Sequence, residues 1–218
     1  MTKLLLGVSM GALLLMAEAT SANAVVTLTL ENPGSATFQQ TQNSPCVIGD
    51  PSCNQPAGFG EGIIPSNTSP YDVSSPNYSV LQITNVIGST AFKIGIDVNT
   101  TTSPLATEKL DLFTMSVNNV VVASYDPASP GTQLFTVNNG NGRSDEILTG
   151  FSLAGFLPTD QVSFRAVVNN ATDGREEFFL IGATQRPVPE PMSIALLGLG
   201  MTALGVVRRR RRGEVASA

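Results

Sequence analysis

The chain has 218 residues, a formal net charge of −5, and neither His nor Trp. The missing His removes Ser-His-Asp and Cys-His catalysis and the usual His-containing zinc and non-haem iron sites. Between Val25 and Val188 fourteen acidic side chains face six basic ones, a net charge of −8; so acidic a body repels phosphate backbones, and no nucleic-acid partner is expected.

In chain order, residues 1–24 read as a secretory signal peptide. Lys3 gives the positive start, Leu4 to Met16 the apolar stretch, and Ala22-Asn23-Ala24 the small-x-small cleavage pattern, with the cut expected after Ala24. Residues 25–187 then form the body, a length that suits one domain. Val25 to Leu30 is β-rich and partly alternating, hence a strand. Asn32 to Pro76 is dominated by Gly, Pro, Ser, Thr, Asn and Gln and reads as long loops, with one short strand at Ala36 to Gln39. This stretch holds the chain's two cysteines, Cys46 and Cys53. An even pair in an exported chain predicts a disulfide, and Gly49 and Asp50-Pro51 let the chain turn back between them.

From Tyr78 the strand signals are dense. Tyr78 to Val86 is read as a strand. Ala91 to Val98 puts Phe92, Ile94, Ile96 and Val98 on one face, and Leu110 to Val117 repeats the period of two. Asn118-Asn119 predicts a tight hairpin turn into Val120 to Tyr125. Leu134 to Val137, Ile147 to Leu153, Gln161 to Val168 and Glu177 to Ile181 follow as strands, and no segment of the body shows helical periodicity. Short strands at this spacing predict an all-β fold, an antiparallel, jelly-roll-like β-sandwich.

Two groups of residues invite a chemical reading. Asn138 to Glu146 packs oxygen ligands into a Gly-rich loop, and hard cations such as Ca²⁺ take six to eight oxygens from such loops. Asn139, Asn141, Asp145 and Glu146 are the candidate ligands. The spacing does not fit the EF-hand, and a hairpin loop with an acidic rim explains the same residues. Asp160, Asp173 and Glu176 could serve glycoside hydrolysis if they converged with another carboxylate. Nothing in their spacing selects them over solvated turn residues, and adjacent Glu176 and Glu177 point to opposite faces of a strand. The expectation is a protein that is not an enzyme and needs no cofactor, Ca²⁺ excepted.

The C-terminal end carries the strongest signal. Val188-Pro189-Glu190-Pro191 precedes an uncharged apolar run from Met192 to Val207, and Arg208, Arg209, Arg210, Arg211 and Arg212 follow it. The sixteen-residue run would span roughly 24 Å as a helix, against a hydrocarbon core of about 30 Å, so it predicts one short transmembrane helix. Pro191 suits the first turn of that helix. The arginines act as a stop-transfer signal and stay cytoplasmic, which places the body outside.

Residues 188–212 resemble the PEP-CTERM sorting signal, and the tail 213–218 continues past the point where such signals commonly end. The resemblance implies recognition and cleavage by an exosortase, with Val188, Pro189, Glu190 and Pro191 as the processing motif. It also implies export through the inner membrane, a precursor transiently anchored there, and a mature form at the cell surface or outside the cell. Hosts of this system typically make extracellular polysaccharide. The expected function is therefore a surface or extracellular-matrix protein associated with exopolysaccharide and biofilm. The alternative is a carbohydrate-binding module assisted by Ca²⁺.

Overall fold

The computed structural model describes residues 24–32, 37–65, 69–99, 108–127, 131–134, 142–171 and 174–187. The signal peptide up to Asn23, the Pro-Glu-Pro motif, the apolar run and the arginines lie outside these residues. So do Asn139 and Asn141. Among the described residues no helix is long and apolar enough to cross a membrane.

The described chain is mostly strand, in two sheets. The first contains β1 (Val26–Thr27), β5 (Tyr71–Ser74), β6 (Tyr78–Ser79), β8 (Lys109–Val117), β9 (Val120–Tyr125), β10 (Thr132–Gln133) and β12 (Gln161–Asn169). Its order is β1-β9-β8-β12-β5, with β10 on the start of β8 and β6 on the start of β12. The second contains β2 (Thr29–Glu31), β3 (Cys46–Gly49), β4 (Gly62–Ile63), β7 (Ala91–Asp97), β11 (Glu146–Ser152) and β13 (Glu177–Gly182), in the order β2-β11-β7-β13-β3-β4.

The period-two pattern explains the packing of the two sheets. β12 alternates along its length, burying Val162, Phe164, Ala166 and Val168. Phe113 of β8 stacks on Phe178 of β13 with ring centroids 5.5 Å apart, and Phe164 meets Phe92 of β7 edge-on at 6.2 Å. These pairs bridge the sheets and define one core. Such aromatic geometries add about 0.5–1.5 kcal/mol each beyond burial.

β13 is buried on both faces. Phe178 and Leu180 join the core, while Phe179 and Ile181 join a second cluster with Phe38, Cys46, Cys53 and Ile147. Segment 37–55 covers that outer face. Ser144 N–H donates to Phe38 O at 3.0 Å, and Phe38 N–H donates to Ser144 Oγ at 2.9 Å. Gly95 admits the Phe179 ring across its face, since a Cβ there would stand 2.6 Å from Phe179 Cζ.

Several expectations hold and several are corrected. The six strands from β7 to β13 other than β10 match their predicted segments to within a residue or two. Asn118 and Asn119 both have positive φ, 50° and 66°, as the tight hairpin requires. Tyr78 to Val86 is not a strand: β6 ends at Ser79, and α1 (Val80–Ile87) begins. Ser79 Oγ accepts from Gln82 N–H, Gly88 closes the helix at φ 72°, and Val80, Ile83 and Ile87 are its buried residues. Those are positions i, i+3 and i+7, a helical stripe that the β-branched composition disguised. Val25 to Leu30 is not one strand either. β1 pairs with β9 and β2 with β11, so the segment crosses between sheets at buried Leu28. Nor is Asn32 to Pro76 structureless, for it supplies β3, β4 and β5. The expected strand at 36–39 contributes a bridge, Gln39 to Arg143. Of the strand expected at Leu134 to Val137, Leu134 lies just past β10 and outside any strand, and residues 135–137 lie outside the described set.

Candidate functional site

One end of the two sheets collects acidic side chains. β7 ends there at Asp97, β13 begins there at Glu177, and these two are direct register partners. Asp145 precedes β11 and donates its N–H to Ile96 O at 2.7 Å. Glu146 opens β11, Glu176 precedes β13 and Glu108 precedes β8. All six carboxylates are buried. They come from four segments far apart in sequence, which is why no local motif announces them.

Each has a distinct environment. Glu176 turns inward, where Tyr71 Oη donates to its Oε2 at 2.6 Å. Burial and the Glu176 charge push the Tyr71 hydroxyl well above its usual pKa. Asp97 Oδ2 accepts the N–H of Gly142. Burial lifts the Asp97 pKa to about 7; the Gly142 N–H pulls it down, and the charges of Glu177 and Asp145 push it up. Burial likewise lifts Glu146 to about 7, with Asp145 adding to it, and lifts Glu177 to about 7, with Asp50 adding to it. Asp50 itself is engaged by Arg175 Nη1 at 2.7 Å.

The candidate calcium ligands are placed as follows. Asp145 is fully buried, and its Oδ2 accepts Val98 N–H at 2.8 Å. Glu146 is buried in the same end of the fold. Neither forms an acidic rim on a hairpin loop, so any cation here would meet buried carboxylates. Of the carboxylates weighed for hydrolysis, Asp160 and Glu176 do not meet each other, while Glu176 lies among the buried carboxylates of the acidic end. Asp160 sits in the turn before β12, where its Oδ2 accepts Leu157 N–H at 2.7 Å and its Oδ1 accepts from Asn118 Nδ2 at 3.0 Å. Glu176 lies past the far end of β12, a nine-residue strand of roughly 30 Å at about 3.3 Å per residue. Asp173 lies outside the described residues.

Cys46 and Cys53 form a disulfide. A Glu177 carboxylate oxygen lies within 4.8 Å of both sulfurs. Tied to each other, the sulfurs cannot act as thiolate ligands.

The same end of the first sheet carries a polar cleft of about 420 Å³, lined by Lys109, Asp111, Asp126, Gly131, Asn169 and Asn170 together with Pro127. Asn169 Nδ2 donates to Asp111 Oδ2 at 2.8 Å. Gly131, at φ 71°, packs so closely that a Cβ would stand 2.2 Å from Asp111 Oδ1. Carboxylates, amides and an ammonium around a cleft this size can exchange hydrogen bonds with a polyhydroxylated ligand. Sequence reading missed the cleft, because only the β8–β12 register sets Lys109 against Asn169.

The family model of the PEP-CTERM protein-sorting motif matches residues 187–212. The C-terminal end is therefore a sorting signal. It marks the chain as an exported protein targeted to an exosortase, and it implies a membrane-anchored precursor processed at the cell surface. No curated protein and no solved structure matches the chain.

Proposed function

We propose that this chain is a non-enzymatic component of the cell surface or extracellular matrix, released from its membrane anchor by exosortase cleavage near the Val188 to Pro191 motif and associated with exopolysaccharide. The sorting signal carries this reading. β13 ends at Gly182, and residues 183–187, all exposed but half-buried Gln185, lead directly from the fold into the matched motif. The lack of His and the structural use of Asp160 and Glu176 support a role without catalysis. In the native host, Glu190→Ala should leave uncleaved, membrane-retained precursor on a fractionated immunoblot. Normal processing and release of that variant would sink the exosortase reading.

The polar cleft favours a second reading, a carbohydrate-binding module. Asp111→Asn combined with Asn169→Ala should weaken retention on acidic or neutral polysaccharides at least tenfold. Undetectable binding of the wild-type protein across such a panel would remove this reading and leave the first intact.

A further inference from the structure

Asp97 and Glu177 close and open neighbouring strands of the second sheet and stand directly opposite each other. Directly opposed residues on antiparallel strands share a face, with Cβ atoms roughly 4.5–5.5 Å apart, and like charges so placed are destabilising. Burial makes the conflict worse, since a buried charge without a counter-charge is costly. The Asp145 carboxylate, on the other flank of β7, adds to the same negative field. Arg175, two positions before Glu177, is engaged by Asp50.

A second observation points to a ligand. Glu177 is 3% exposed, and its Oε2 is buried with no hydrogen-bond partner. That oxygen faces Gly142, standing 3.8 Å from where a Cβ would lie. The N–H of the same Gly142 donates to Asp97 Oδ2. The bare oxygen and the Asp97 carboxylate thus converge on one backbone unit. The two carboxylates offer oxygen only, because the neighbouring sulfurs are locked in the disulfide, while Gly142 O already accepts from Gln39 and Gln40. Such a set selects a hard cation, and a flexible shell completed by water suits Ca²⁺ better than the smaller Mg²⁺.

We propose that Asp97 and Glu177 bind a calcium ion at the acidic end of the second sheet. The ion neutralises the opposed pair and ties the 142–145 segment to β7 and β13. The site shares no residue with the polar cleft and does not depend on the sorting role.

The test uses the exported, disulfide-bonded chain, melted in EDTA and in millimolar CaCl₂, with calorimetric titration of CaCl₂ alongside. A calcium concentration a hundredfold above Kd should raise the melting temperature by roughly 5–10 °C, with about one ion bound per chain. Glu177→Gln should abolish both the shift and the binding heat while folding normally in EDTA. Asp97→Asn should do the same, since its amide oxygen can still accept from Gly142. Glu31→Gln, at an exposed carboxylate on β2, should keep the full response and exclude diffuse surface binding. Absence of a shift and of binding heat in the wild-type chain would overturn the proposal, as would a wild-type calcium response in Glu177→Gln.

Discussion

Burial sets Glu146 at a pKa of about 7, against an ordinary 4.5, with the Asp145 charge adding to the shift. The folded state therefore holds this proton more tightly than the unfolded chain. Its contribution is fully present below about pH 4.5 and is lost as pH rises through about 7. In EDTA, Glu146→Gln should match the wild type near pH 4 and melt higher than it near pH 8. The ceiling on that gain is about 3 kcal/mol, at roughly 1.4 kcal/mol per pK unit. Equal melting temperatures at pH 8 would show that Glu146 ionises freely in the fold. The sequence disclosed part of this chemistry. Adjacent Glu176 and Glu177 had to point to opposite faces, and they do: one meets Tyr71 and the other the disulfide. That both faces are buried was not legible. It depends on segment 37–55 lying over the outer face, which no periodicity encodes.

Elements with one buried face were legible, because a period of two survives in sequence whenever one side meets solvent. β12 is the clearest case, and β7 and β8 are close to it. Helix α1 escaped because its eight residues, Val80 to Ile87, include many β-branched side chains that read as strand. The stronger signals were Ser79 before the helix and Gly88 after it, a cap at each end. Ser79→Ala should cost about 1 kcal/mol, or roughly 2–4 °C in melting temperature. An unchanged melting curve would mean that packing of Ile83 and Ile87 alone holds the helix. The disulfide acts at the same scale. It closes a short loop, with a sequence separation of 7, and contributes about 2–3 kcal/mol in the chain-entropy model. The double replacement of Cys46 and Cys53 by Ser should lower the denaturation midpoint accordingly. Alkylation before reduction should find no free thiol in the exported wild-type protein, and two alkylated cysteines would remove the disulfide from the account.

At the scale of the whole molecule, the fold and its sorting signal are built in series. β13 is the last strand among the described residues, and it lies between β7 and β3 near the middle of the second sheet. Placing the final strand inside the sheet means that the domain cannot close until its C-terminal end has left the translocation machinery. Just beyond Gly182 the chain still touches the body: Gln185 Oε1 accepts Gly182 N–H at 2.9 Å, Gln185 Nε2 donates to Ser44 Oγ, and Ala183 N–H donates to Ser89 Oγ at 3.2 Å. By Arg186 and Pro187 the backbone is exposed, and the matched motif begins. Among the described residues the two hydrophobic clusters end at Ile181, so cleavage past Pro187 should release a folded body. A stop codon after Pro187 should therefore give an exported protein that is not retained by the membrane. Its melting temperature should match that of the natively processed form within about 1 °C, far inside the roughly 2–4 °C that 1 kcal/mol moves a domain of this size. A stop after Phe179 removes Leu180 and Ile181 from both hydrophobic clusters and should leave no cooperative transition. If truncation after Pro187 also abolished cooperative melting, the sorting segment would belong to the fold, and exosortase cleavage could not be what frees a finished domain.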